Sequence, residues 1–312
     1  MSHAANILAM HPEIHTLFPN RPQRWNLLET DGDLENTIAT RGADVDILLS
    51  ASIEKLDKAI LARFPNLKMI ASISAGFSNI DLEECQSRQI AVTNAPGMNS
   101  GDVADLAVAM TTSLLLRMPQ SQSYIMTDQW VSAAGPIRSS LRNMPVGIVG
   151  LGAIGQEIVH RLVPFGFGIK WWGPRPKPDI TYPYIESLTE LAAQSRALIV
   201  CCRPDQSTHH LINRDILDQL GPDGVVVNVS RGSVVDEIAL IEALKDSRLA
   251  GAGLDVFDPE PTSSARWRGV PNVMLTPHQG GATFETLFAQ AALAQENIEN
   301  YLDGKPLLTS VL

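Results

Sequence analysis

Several groups of residues along this 312-residue chain have side chains and spacings that could do chemistry. The first is Gly150, Gly152 and Gly155 in VGIVGLGAIGQEIVHRL, a G-x-G-x-x-G run that follows a strand-like segment and opens an amphipathic helical one. In that setting Gly150 permits a tight turn, Gly152 lets main chain approach a pyrophosphate, and Gly155 lets helix and strand pack closely. The N–H groups of Leu151, Gly152, Ala153 and Ile154 would then face phosphates at the positive end of the helix. The plain alternative is a tight strand-to-helix turn with no ligand. The second group is Arg175 and Lys177 in IKWWGPRPKP, a basic tip among three prolines at the end of a strand-like run. An NAD-binding fold usually carries Asp or Glu about 20 residues beyond the glycines, for the adenosine ribose. Residue 175 is instead arginine. A carboxylate there would repel a 2′-phosphate, whereas Arg175 and Lys177 would pair with it. The expected cofactor is NADP(H) rather than NAD(H).

The third group lies further on. VVVNVSRGSVVDE delivers Arg231 directly after a strand, and an always-charged planar fork there suits a carboxylate or a polarised carbonyl. GAGLDVFDPEP supplies Asp255 and Glu260, and NVMLTPHQGGA puts His278 just past the last strand, followed by Gly280 and Gly281. Each has a bland reading: a surface ion pair for Arg231, a rim carboxylate for Glu260, a structural imidazole for His278. Their convergence on the strand edge that already carries the glycine turn favours a reacting centre.

These residues need strands that end together. Short apolar runs alternate with amphipathic stretches over most of the chain. NILAM, VDILLS, LKMIASI and IAVTN read as strands in the first hundred residues, with IEKLDKAILARF and DLEECQSR as helices between them. DVADLAVAMTTSLLLRM reads as a long buried helix. A second series runs through VGIVG, IKWW, ALIVCC, GVVVNVS, GAGLDV and NVMLTPH. Alternation of this kind implies an α/β fold with parallel sheets covered on both faces. The expected division is 1–99 plus 284–312 for one domain and 100–283 for a dinucleotide-binding domain, with TFETLFAQAALAQENIENYLDG as a closing helix that stops at Gly304. Residues 119–143 read as one long irregular connection.

Composition sets the outer limits. Hydrophobic residues are 45% and charged residues 19%, as in a globular protein, and the net charge of −10 argues against nucleic acid or an anionic membrane as partner. Neither a signal sequence nor a run long enough to span a bilayer is read, so a cytoplasmic location is expected. Cys85, Cys201 and Cys202 are too few for a disulfide framework. No metal is expected.

GIVGLGAIG, NVSRGSVVDE, GAGLDVFDPEP and TPHQGGAT resemble the signature segments of the D-2-hydroxyacid dehydrogenase family, and the resemblance extends to SISAGFSNIDL and VTNAPG in the first domain. ITYPYIESLTELA and GKPLLTSVL further resemble the branch of glyoxylate/hydroxypyruvate and hydroxyphenylpyruvate reductases. The resemblance implies two Rossmann-like domains with the active site in the cleft between them. It implies His278 as general acid toward a ketone oxygen, Glu260 as the partner that orients His278 and keeps it protonated, and Arg231 as the grip on a small 2-oxo acid substrate. Main-chain N–H groups of Ser74, Ala75, Gly76 and Phe77 would hold the substrate carboxylate. Asp255 would contact the nicotinamide amide, Arg203 and Pro204 would line the adenosine side, and Val229 and Gly280 would complete the cofactor contacts. Trp130 would lie in a homodimer interface, either packing there or reaching the neighbouring active site. NADP-using relatives often carry Arg directly after the small residue that ends the strand; here Pro174 intervenes between Gly173 and Arg175. The activity implied is NADPH-dependent reduction of glyoxylate or hydroxypyruvate. An aryl pyruvate such as hydroxyphenylpyruvate is the second substrate reading, and a dinucleotide-sensing corepressor-like protein the reading from another class.

Overall fold

In the central strands of the chain, successive side chains enter opposite hydrophobic layers, the mark of strands covered on both faces. The computed structural model describes residues 4–11, 13–28, 33–51, 54–131 and 137–312. Two compact units result, Met1–Asn99 with Ala282–Leu312, and Ser100–Gly281.

In the first unit the strands are β1 (Ala5–Ala9), β2 (Trp25–Leu28), β3 (Ile47–Ser50), β4 (Met69–Ser72) and β5 (Ala91–Thr93), in the order β2-β1-β3-β4-β5. Every pairing among them is parallel. Leu8, Leu48 and Ile70 face one layer with Ile38, Leu61 and Cys85 from the helices Leu34–Arg41, Lys58–Leu61 and Leu82–Ser87. Ile7, Ile47, Leu49 and Met69 face the other, against Ala291, Ala294 and Ile298 of the helix Phe284–Leu302. That closing helix is capped by Thr283, and Gly304 follows it at φ +66. The strand β2 was not expected from the sequence. WNLL is short, sits at the sheet edge, and is tied down from outside: the Arg24 guanidinium and Trp25 Nε1 both donate to the Glu299 carboxylate of the closing helix.

In the second unit the strands are β6 (Pro145–Val149), β7 (Gly168–Trp172), β8 (Ala197–Val200), β9 (Val225–Asn228), β10 (Gly251–Leu254) and β11 (Val273–Leu275), in the order β11-β10-β9-β8-β6-β7, again all parallel. Val146, Ile148, Ile199 and Val227 pack with the helices Ser100–Leu115 and Ala153–Leu162. Val149, Leu198, Val200 and Val226 pack with the helices Leu188–Ala193, Arg214–Leu220 and Glu237–Lys245. Cys201 and Cys202 accordingly join opposite layers, and burial pushes both thiols above their ordinary values. The strand order reverses at β6 and β8, the kind of point at which open α/β sheets bind ligands.

The expectation of one irregular connection over 119–143 is corrected. Met118–Met126 is a helix, opened by Pro119 in its first turn, and none of its residues is buried. Its middle, Gln120-Ser121-Gln122-Ser123, is polar and follows a proline, a composition that reads as a loop. Residues 132–136 of that connection, and the first residue of the helix expected at 53–64, lie outside the described residues.

Candidate active site

The glycine turn is built as its spacing demands. Gly150 sits at φ +96, and a Cβ there would fall 2.5 Å from Cys202 Cα. A Cβ on Gly155 would fall 2.4 Å from the Gly150 carbonyl oxygen, so strand and helix meet through that position. Gly152, the N-cap of the helix Ala153–Leu162, is different: a Cβ there would meet nothing within 4 Å. The turn therefore borders open space in front of a helix N-terminus whose first N–H groups have no partner within the helix. The Gly150 N–H donates to the Trp172 carbonyl (2.8 Å) and the Cys201 thiol to the Gly150 carbonyl (3.0 Å), fixing the turn to its flanking strands. A cradle of this shape and polarity fits a dinucleotide pyrophosphate.

The basic tip is held beside that cradle. Trp171 Nε1 donates to the Tyr182 carbonyl at 3.0 Å, Tyr184 Oη donates to the Gly173 carbonyl at 2.9 Å, and the Trp171 and Tyr184 rings meet tilted at 56° with centroids 4.8 Å apart. The segment that follows the tip thus folds back along β7 and anchors it. Beyond Gly173, residues 174–179 are exposed. Lys177 reaches back, and its Nζ donates to the Leu151 carbonyl in the glycine turn at 2.5 Å. Arg175 stays at the exposed tip. Arg203 is exposed and Pro204 half-buried just past β8, where Thr208 Oγ1 donates to the Arg203 carbonyl. Val229 is buried, its N–H bonded to the Val200 carbonyl.

Arg231, Glu260 and His278 come together beyond the ends of β9, β10 and β11. Arg231 follows a loop tied by Asn228, whose Nδ2 donates to the Arg231 carbonyl (2.9 Å) and whose Oδ1 accepts the Ser230 N–H (3.0 Å). Burial lowers the affinity of its guanidinium for the proton, an effect opposed by the negative charge of Glu260; an arginine remains a cation even so. Glu260 Oε1 accepts the Phe257 N–H at 2.9 Å, which leaves Oε2 for His278 Nδ1 at 2.8 Å. Half-burial acts to raise the Glu260 carboxyl. The bonds from His278 and Phe257 and the charges of His278 and Arg231 outweigh it, holding the group below its ordinary range.

His278 is held in a backbone conformation that costs a non-glycine residue about 1–3 kcal/mol, at φ +50. Asp255 holds it there. The His278 N–H donates to the Asp255 carbonyl (2.8 Å), and the Asp255 carboxylate accepts the Thr276 hydroxyl (2.6 Å) and the Gln279 and Gly280 N–H groups (both 2.9 Å). A Cβ on Gly280 would fall 2.9 Å from Asp255 Oδ2, so the close approach requires glycine. At 3% exposure Asp255 is an organiser of the 276–280 turn. Sequence reading had given it only a nicotinamide contact.

Three further residues of this site escaped sequence reading. A Cβ on Gly232 would fall 1.9 Å from the Phe257 carbonyl carbon, so the loop carrying Arg231 lies directly against the segment carrying Glu260. Glu237 and Arg266 hold that same segment through the Asp258 N–H and carbonyl. The available signals were Asn228 and Glu237, polar residues at the end of a buried strand and in the first turn of a buried helix. Ser74, Ala75, Gly76 and Phe77 follow β4 in the first unit, where the carbonyls of Ser74, Ala75 and Phe77 are taken up by Ala95, Asn94 and Ile80. Trp130 is 60% exposed, beyond the helix Met118–Met126.

Residues 108–280 match the family described as D-isomer specific 2-hydroxyacid dehydrogenase, NAD binding domain. The chain belongs to this family. It is 35% identical over 308 residues to a glyoxylate/hydroxypyruvate reductase A of Arabidopsis thaliana, covering 98% of each chain. It is 35% identical over 311 residues to a hydroxyphenylpyruvate reductase of Plectranthus scutellarioides, covering 99% of each. Among solved structures it superposes with a TM-score of 0.84, at 31% identity and over 99% and 97% of the two chains, on an NADPH-dependent glyoxylate/hydroxypyruvate reductase of Sinorhizobium meliloti in complex with NADP and malonate. The two parallel sheets with flanking helices are the family's α/β fold, and the chain is a 2-hydroxyacid dehydrogenase type of oxidoreductase.

Proposed function

We propose that this dehydrogenase is an NADPH-dependent reductase of small 2-oxo acids, with glyoxylate and hydroxypyruvate as its substrates. The observation that carries the reading is the Glu260–His278 pair beside Arg231, on the strand edge that also bears the glycine turn. NADPH, when bound, supplies the hydride that reduces the keto carbon. The remaining work falls to the protein. Arg231 grips the 2-oxo acid and polarises its carbonyl, which fixes the angle of attack and stabilises charge developing on oxygen. His278 donates a proton from Nε2 to that oxygen, since Nδ1 is committed to Glu260. Glu260 fixes the tautomer and the ring plane of His278. Main-chain N–H groups of Ala75, Gly76 and Phe77 take the substrate carboxylate, the Ser74 N–H being bonded to Ser72 Oγ.

For the cofactor, Leu151–Gly155 receive the pyrophosphate, with Arg203, Pro204, Val229 and Gly280 lining the site and Asp255 adding the nicotinamide contact. Lys177 and Arg175 take the 2′-phosphate. Support comes from the Lys177 ammonium on the Leu151 carbonyl and from the absence of a carboxylate over 173–178.

A second substrate reading, reduction of an aryl pyruvate, is favoured by the equal identity to the hydroxyphenylpyruvate reductase. Assay of glyoxylate, hydroxypyruvate and hydroxyphenylpyruvate, each with NADPH and NADH, decides. We expect the highest kcat/KM with NADPH and one of the two small acids. Highest kcat/KM on the aryl acid moves the assignment to the second reading, and no turnover on any of them leaves a dinucleotide-sensing binding protein.

We also place the protein in the cytoplasm as a homodimer. Met118, Ile125, Met126, Trp130, Val131 and Ile137 are exposed apolar side chains on and after one helix, a surface suited to a second copy. Among the described residues, no helix is long and apolar enough to cross a membrane.

A further inference from the structure

We infer that Glu237, together with Arg266, is a positioning residue that sets Glu260 against His278. Glu237 opens the helix Glu237–Lys245, just after the Asp236 N-cap. Its side chain is only 3% exposed. Burying a carboxylate is costly unless it is paired and bonded, and such a group is weak evidence of stabilisation for its own sake.

Its partners show what the burial achieves. Glu237 Oε1 accepts the Asp258 N–H at 2.7 Å, and Oε2 faces Arg266 Nε at 3.0 Å as an ion pair. The same arginine donates from Nη1 to the Asp258 carbonyl at 2.9 Å. The N–H and the C=O of Asp258 are thus each held by one member of a single ion pair. The Phe257–Asp258 peptide also lies against Gly232, with no room for a Cβ.

The clamp fixes the two peptides that run from Phe257, whose N–H is bonded to Glu260, toward Glu260 itself. Glu260 Oε1 is bonded to the Phe257 N–H, which leaves Oε2 for His278 Nδ1. Release of Asp258 frees the chain between Phe257 and Glu260 to shift, and both Glu260 bonds loosen together. Glu237 touches neither substrate nor cofactor; it acts through Glu260. The helix Glu237–Lys245 also lies in the hydrophobic layer beneath the sheet, so the rigid core sets the position of the clamp.

The inference rests on Glu260 and His278 being catalytic, and the test separates the two. Glu237→Ala, Arg266→Ala and Glu260→Gln are made singly, and each of the first two is also combined with Glu260→Gln. Reductase kcat and KM, NADPH affinity by fluorescence titration, and Tm are measured for all. Glu237→Ala is expected to lower kcat about 10- to 100-fold at near-constant NADPH affinity, as misplacement of a catalytic group does. In the Glu260→Gln background it should lower kcat by less than about 3-fold, because residues acting as a unit are not additive. Its effect on Tm should be the same in both backgrounds. Equal loss of kcat in both backgrounds, or no loss in the native one, overturns the inference. Full activity of Glu260→Gln overturns the catalytic reading and the clamp with it. If Glu237→Ala does not fold, Arg266→Ala gives the same comparison with the Glu237–Asp258 bond retained.

Discussion

The Lys177 ammonium donates to the Leu151 carbonyl oxygen, 2.5 Å away, so the tip of one loop rests on the glycine turn of another. Three prolines and the Tyr184–Gly173 bond stiffen the path between them. Lys177, not Arg175, is the cation bonded to the glycine turn. Lys177→Ala should weaken NADPH binding about 10- to 100-fold, the equivalent of one charge-assisted hydrogen bond, and leave NADH nearly unchanged. Arg175→Ala should have the smaller effect. Titration of both variants with both cofactors checks this, and equal weakening of NADH and NADPH would sink phosphate recognition.

His278→Asn should lower kcat by about 10²- to 10⁴-fold while NADPH binding survives, the loss expected of a general acid. Loss of cofactor binding instead would make His278 structural.

The Glu260 carboxyl titrates below its ordinary range in the folded protein. Its contribution to stability is therefore full above the ordinary carboxylate range and is lost as pH falls through the lowered folded value. The Tm difference between native protein and Glu260→Gln should be constant near neutrality and shrink as the pH falls to about 4 and below. Thermal melts over pH test it; a difference that grows on acidification contradicts the assigned shift.

Two glycines should part company under the same substitution. Gly152→Ala places its methyl in open space, so Tm should hold while NADPH affinity falls. Gly232→Ala drives a Cβ into the Phe257 main chain, an overlap no rotamer relieves, and should cost about 3 kcal/mol or more. A destabilised Gly152→Ala or a stable Gly232→Ala, read by urea unfolding, would contradict these placements.

Glu299 gathers the Arg24 guanidinium and the Trp25 indole N–H, binding the edge strand β2 to the closing helix. Glu299→Ala should destabilise by about 2 kcal/mol in urea unfolding without altering NADPH affinity, since removal leaves partly buried donors unsatisfied.

The glycine turn, the missing ribose carboxylate and the alternation of strand and helix were legible because they are local. A backbone turn, a charge at one strand end and a period-two pattern act within a few residues of themselves. The six strands of Ser100–Gly281 and the family itself followed from such signals. The edge strand β2 and the exposed helix Met118–Met126 did not, because one depends on a partner 274 residues away and the other is polar through its middle and buries none of its residues. In the site, sequence supplied Arg231, Glu260 and His278, whose types announce chemistry. Tertiary structure alone decided how they are held. Asp255 as organiser of the His278 turn, Gly232 as a steric contact and the clamp at Asp258 join segments remote in sequence, and no local pattern encodes such pairings. The basic tip divides in the same way: its charge was in the sequence, and the choice of Lys177 over Arg175 came from the fold that bends it back onto Leu151.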